Sequence, residues 1–147
     1  MLDTSFIGHE FPDRFVEVEA GQLRFFAKAI GETDPVYSDL AAAKAAGHPA
    51  LPAPPTFLFS LEIMTSDEVS VLDLLGVNIG RVLHGEQGFT YSGQIYAGDR
   101  IRLSTRIVDI YAKKGGALEF VVQETTARNQ HGADVGTGRT VTVVRNG

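Results

Sequence analysis

The second half of this 147-residue chain constrains its fold most, because its apolar residues recur with a period of two. Ile101, Leu103, Thr105 and Ile107 alternate with Arg102, Ser104 and Arg106, and Leu118, Phe120 and Val122 alternate with Glu119, Val121 and Gln123. Such spacing sends one set of side chains to each face of an extended backbone, so both segments predict half-buried strands. Lys113-Lys114-Gly115-Gly116 separates them and Asn129-Gln130-His131-Gly132 follows the second. Both clusters form turns at hairpin spacing, which predicts an antiparallel meander completed by residues 140–144. Arg81 to Tyr91 predicts a further strand, with a bulge or close backbone approach at Gly85 or Gly88.

The first half reads as helical. Leu23, Phe26, Ala27 and Ile30 lie at i, i+3, i+4 and i+7, one apolar stripe on a short helix over 21–30. Ser38 is placed to cap an alanine-rich helix over 39–46, with Gly47 as its stop. Pro54 and Pro55 precede Thr56-Phe57-Leu58-Phe59-Ser60-Leu61-Glu62-Ile63-Met64. Proline in a first turn sacrifices no helical hydrogen bond, so a helix is expected to begin there, and its nearly all-round apolar surface predicts burial. Helices first and consecutive antiparallel strands afterwards describe an α+β domain, with a sheet wrapped around a central buried helix.

Composition narrows the class of function. With 44% hydrophobic residues, 147 residues supply one core, and a single domain over 1–147 is expected. A net charge of −5 disfavours nucleic acid and anionic membrane surfaces, which require a cationic face. The absence of cysteine removes disulfides, thiolate metal sites and thiol nucleophiles, and no metal site is expected. No secretory-type leader and no apolar run near ~18 residues is visible, so a soluble cytoplasmic protein is expected.

The stretch Phe26-Ala27-Lys28-Ala29-Ile30-Gly31-Glu32-Thr33-Asp34-Pro35-Val36-Tyr37 resembles the signature of the MaoC-like, or hydratase 2, family, whose loop reads G-D-x-N-P-x-H after a short helix. Ala97-Gly98-Asp99 before a strand is similar to the family as well. So are Leu51 to Phe57 and Val82 to Gln87, which look closest to the amino-terminal branch related to the dehydratase region of type I fatty acid synthases. The resemblance covers nearly the whole chain. It implies a hot-dog fold and (R)-specific addition of water to enoyl thioesters, or its removal from 3-hydroxyacyl thioesters, of CoA or acyl carrier protein. It also implies no cofactor beyond the thioester substrate, and a homodimer or a heterodimer with another hot-dog subunit.

That chemistry needs an acid-base pair at the reacting carbons and donors for the thioester oxygen. By the resemblance the acid position holds Glu32 and the histidine position Tyr37. A phenol, ionising ordinarily near pH ~10, is a poor general base near neutrality, although it can donate a proton or hydrogen bond. Asp34 stands where the family has asparagine. It reads either as a second carboxylate that perturbs Glu32 or as a turn cap before Pro35. The His-Gly pair that opens the buried helix in catalytic relatives is matched here by Pro54-Pro55, and proline offers no N–H. Thr56 supplies the next amide and a hydroxyl.

His84 and Glu86, two residues apart on a predicted strand, are expected on one face, where a carboxylate can orient an imidazole. His84 is thereby a candidate replacement for the missing histidine, or else an ordinary strand histidine at a subunit edge. The candidate catalytic residues are therefore Glu32, Asp34, Tyr37 and His84, and the candidate substrate contacts Pro55, Thr56, Phe57 and Glu86. Phe57, Phe59 and Leu61 can line an acyl tunnel or form plain core. Arg81, Arg100, Arg102 and Arg106 can meet phosphates or simply solvate a face. Three functions remain open: a hydratase or dehydratase subunit with an altered site, an acyl-binding or stabilising subunit for an intact partner, and a thioesterase in which Glu32 or Asp34 activates water.

Overall fold

The computed structural model describes residues 1–65 and 70–147. Its strands are β1 (Arg14–Glu17), β2 (Val82–Tyr91), β3 (Arg100–Lys113), β4 (Leu118–Arg128) and β5 (Asp134–Arg145). The helices are α1 (Ala20–Ala29), α2 (Leu40–Ala45), α3 (Phe57–Met64) and α4 (Val71–Leu74). The strands form one antiparallel sheet in the order β1-β3-β4-β5-β2. This is the α+β hot-dog arrangement, with the meander β3-β4-β5 at its centre and β1 and β2 at its edges.

The central meander follows from the alternation. Ile101, Leu103, Thr105 and Ile107 are buried while Arg102 and Arg106 point outward. A register shift between Ile107 and Asp109 inserts one residue, which brings Ile110 inward on the opposite parity. In β4 Val122 of the alternating set Leu118, Phe120 and Val122 is buried while Leu118 and Phe120 are half-buried, and Glu119, Val121, Thr125 and Ala127 are buried from the other parity.

Two apolar clusters hold the sheet to its helices. The larger joins Leu23, Ala43, Phe57, Leu58 and Leu61 to Ile101, Leu103, Ala127 and Val135; the smaller sets Ile107, Ile110 and Val121 against Phe6, Phe11, Leu74 and Leu75. Phe57, Leu58 and Leu61 are essentially sealed from solvent, and each contributes roughly 2–3 kcal/mol of transfer free energy. The other side of α3 differs from the expectation of full burial, since Ile63 is 55% and Met64 40% exposed.

Local chemistry shifts several element ends. Asp39, not Ser38, caps α2 by accepting the Ala41 amide at 2.8 Å. α3 begins at Phe57 rather than at the prolines, because the Phe57 amide bonds Pro54 O at 2.9 Å in a turn that leads into the helix. Leu23 and Ala27 of α1 are buried and Phe26 half-buried, but Ile30 falls beyond the helix and is exposed. The four-residue β1 carries too short a pattern to stand out in the sequence.

Candidate functional site

Gly31 ends α1 with φ of +73°, a backbone state in which a side chain is strained. The reversal lets the Glu32 amide reach back to Ala27 O at 2.9 Å, closing the helix end. Asp34 then caps a single 3-10 turn, Pro35–Tyr37, by accepting the Val36 amide at 3.0 Å. Glu32 Oε1 accepts the Asp34 amide at 2.9 Å. Both loop carboxylates thus bind the loop's own backbone, and both residues are exposed.

The loop lies beside the start of α3, since Val36 packs on the main core and Phe26 meets Phe57 edge-on at 5.2 Å. Tyr37 is half-buried at the end of the 3-10 turn. Pro55 and Thr56 are exposed at the mouth of the helix, and the Thr56 side chain makes no capping bond. Phe57 is core, 2% exposed.

The expectation for His84 and Glu86 requires correction. The register of β2 against β5 shifts between them, with His84 opposite Thr142 and Glu86 opposite Val141. Gly85 is the extra residue, and a bulge of this kind reverses the alternation. His84 therefore turns its ring edge-on to Phe59 of α3 at 5.1 Å, while Glu86 faces Arg139 at 3.7 Å. Glu86 does not orient His84. Among the described residues no hydrogen bond joins His84 to Glu32, Tyr37 or Thr56.

The arginines are engaged locally. Arg81 donates to Arg145 O at 2.7 Å, Arg102 pairs with Asp13 at 2.6 Å and Arg106 with Glu124 at 3.3 Å, while Arg100 lies over the Phe15 ring. This is a solvated face laced with ion pairs.

A second polar centre, which sequence reasoning did not single out, lies between α3 and the sheet. Arg14 donates to Glu62 O and Thr65 Oγ1, each at 3.1 Å, and to Thr105 Oγ1 at 3.0 Å. Thr105 and Thr125 share a hydroxyl bond of 2.9 Å. Burial pushes the Glu62 carboxyl up to about 7, against the Arg14 charge and the Thr125 hydroxyl, which favour ionisation. Burial, and then the Glu62 charge, push the Tyr91 phenol up to about 12. Glu62 Oε1 and Gln87 Nε2 are both buried without a hydrogen-bond partner. The available signal was one carboxylate inside an otherwise apolar helix.

The model of the FAS1-like dehydratase domain region matches residues 5–137. A UPF0336 protein of Streptomyces coelicolor is 39% identical over 118 residues, spanning 80% of this chain and 79% of that protein. A UPF0336 protein of Saccharopolyspora erythraea is 38% identical over 145 residues, 98% of this chain and 92% of its own length. Among solved structures, the C-terminally truncated HadBC (3R-hydroxyacyl-ACP dehydratase) complex of Mycobacterium tuberculosis superposes with a TM-score of 0.80 and 26% identity, over 97% of this chain and 99% of that one. A chain of the ChsH1-ChsH2 complex of the same organism shares the fold, with a TM-score of 0.76 and 24% identity over 94% and 89% of the two chains. With the match running from before β1 into β5, the chain belongs to the FAS1-like dehydratase-region family of MaoC-like hot-dog proteins.

Proposed function

We propose that this chain is the non-catalytic half of a paired hot-dog (R)-specific enoyl thioester hydratase, or 3-hydroxyacyl thioester dehydratase. It shapes the acyl site while a partner subunit supplies the acid and the histidine. The observation that carries this reading is the loop: Glu32 and Asp34 each accept one of its own amides, and Tyr37 stands where a base is needed. The prolines before α3 also remove two amides that a thioester oxygen would otherwise find there. The substrate is an acyl thioester of CoA or acyl carrier protein, and water is the other reactant, with no further cofactor.

The unpaired surfaces support a second hot-dog subunit. β2 is a ten-residue edge strand, and among the described residues no strand pairs with its outer side. Exposed apolar side chains, Leu83 on β2 and Met64 on α3, are of the kind a protein partner buries. The names HadBC and ChsH1-ChsH2 are those of complexes.

The test is hydration of crotonyl-CoA and longer enoyl-CoAs by the purified chain, alone and co-purified with a MaoC-like chain carrying both aspartate and histidine. The expected result is no turnover alone and turnover in the pair that Tyr37→Phe leaves within about twofold. Turnover by the chain alone, lost in His84→Ala, would instead establish a rewired active homodimer. Release of free CoA with the double bond unchanged would establish a thioesterase.

A further inference from the structure

The ion-paired outer face of the sheet concentrates positive charge at one place. Phe15 stands opposite Arg102, and Arg102 opposite Arg128, so β1, β3 and β4 set these three residues in one row. Arg100 lies two residues before Arg102 and faces the same way, since the intervening Ile101 is buried in the core. These four side chains, with Asn129 and Gln130 of the turn after β4, line a recess of about 320 Å³. Among the described residues no carboxylate lines it. A neighbouring recess on the same face differs, because Glu10, Asp13 and Glu124 line it beside its arginines.

Like charges directly opposite on paired strands destabilise a sheet, and here two guanidiniums are opposed with a third beside them, in a chain of net charge −5. Ion pairs offset only part of this. Asp13 engages Nε of Arg102 at 2.7 Å and Nη2 at 2.6 Å, and Asp134 accepts from Nε of Arg128 at 2.5 Å. Among the described residues the terminal nitrogens of Arg128 and the Arg100 guanidinium donate no hydrogen bond, and Arg100 forms no ion pair. The Arg100 guanidinium lies 5.1 Å over the Phe15 ring, which is 55% exposed. The far wall is fixed, since Gln130 accepts the Arg100 amide at 3.1 Å and donates to Asp99 at 3.0 Å.

We propose that this recess binds a nucleoside phosphate, with the arginines on the phosphate and the Phe15–Arg100 wall against the base. Guanidiniums present paired donors that match phosphate oxygens, and both guanidinium and phenyl faces stack on flat rings. A lone oxyanion would leave the apolar wall uncovered, whereas a recess of this size takes a small organic molecule. Its arginines point away from the core in which Ile101 and Leu103 meet Phe57, so the site is separate from the start of α3 and independent of the thioester reading. A free nucleotide and the nucleotide end of CoA both carry this chemistry.

The test is calorimetric titration of the purified chain with AMP, adenosine, inorganic phosphate and CoA. AMP should bind once per chain and at least tenfold tighter than adenosine or inorganic phosphate. Arg100→Gln and Arg128→Gln should each weaken AMP by roughly tenfold, the loss of one charge-assisted contact. Arg106→Gln, in the neighbouring recess, should leave AMP affinity within about twofold. Arg100→Gln breaks no ion pair, and an unchanged thermal midpoint checks that it folds. CoA that displaces AMP supports the site with CoA as the source of the nucleotide; AMP binding that CoA does not disturb supports it with a free nucleotide. An equal loss in Arg106→Gln would reduce the binding to diffuse charge attraction and overturn the site. So would AMP affinity no greater than that of inorganic phosphate, or undiminished in Arg100→Gln and Arg128→Gln.

Discussion

Glu62 and Gly138 fit each other across the space between α3 and β5: the carboxyl oxygen occupies ground that a Cβ on residue 138 would contest at 2.4 Å. Gly138→Ala therefore pushes the end of the Glu62 side chain away from β5. In a double-mutant cycle the substitution should cost ~1–2 kcal/mol with Glu62 present and close to nothing beside Glu62→Ala. Equal costs in the two backgrounds, read from urea unfolding, would show that the two residues do not compete for space.

The same carboxyl links stability to pH. Folded, it keeps its proton up to about pH 7, whereas its ordinary value is 4.5. The folded state binds the extra proton between those values, so this contribution is complete below about 4.5 and lost as pH rises through 7. Its full size is on the order of 3 kcal/mol, at about 1.4 kcal/mol per unit of pKa displacement. Urea unfolding at pH 5 and pH 8 should show a larger loss at pH 8 for the native chain than for Glu62→Gln. Parallel losses would remove Glu62 as the cause.

Arg14 ties β1 to the end of α3 and to β3 through three side-chain donor contacts. Arg14→Met keeps the aliphatic stem and deletes the donors, leaving Thr105 and the end of α3 without them. The expected cost is ~2–3 kcal/mol. Hydrogen exchange should quicken first in β1 and in the last turn of α3; uniform quickening throughout the sheet would contradict this local role.

Asp34 has structural work in the loop, where it accepts the Val36 amide. Asp34→Ala should cost ~1 kcal/mol, while Asp34→Asn, which keeps a capping oxygen, should cost a few tenths. Within the proposed pair, Asp34→Asn should leave turnover within about twofold. A loss of a hundredfold or more with unchanged stability would make Asp34 catalytic.

Assembly is tested at the open edge. Leu83 is 49% exposed on β2, and Leu83→Lys adds a charge that a paired edge cannot solvate. Light scattering after gel filtration should show the native chain associated with itself or its partner and the variant shifted toward monomer. A variant as fully associated as the native chain would place the interface elsewhere.

The meander was legible because alternation is local: Ile101, Leu103 and Ile107 announce a buried face within one segment, and the glycine-rich clusters on either side of β4 announce its turns. The loop's composition was equally legible, and Asp34 before Pro35 already offered the capping role it adopts. The helix 57–64 was recognised, but its exposed side was not, because an apolar pattern does not say whether its own sheet or a partner covers each residue.

The covalent sequence alone determined which groups stand at the loop and the helix start: two carboxylates and a tyrosine in the one, and two prolines without amides before the other. Tertiary structure decided where side chains point and which of them meet. Gly85 was marked in the sequence for a bulge or a close backbone approach, and the pairing of β2 with β5 decided that it is a bulge, which turns His84 toward Phe59 and Glu86 toward Arg139. Arg14, Glu62, Gln87, Thr125 and Gly138 come from five separate elements, so no local period records their convergence. Local patterns register which way a backbone segment presents its side chains; a buried polar centre depends on the register of several strands at once, which only folding sets.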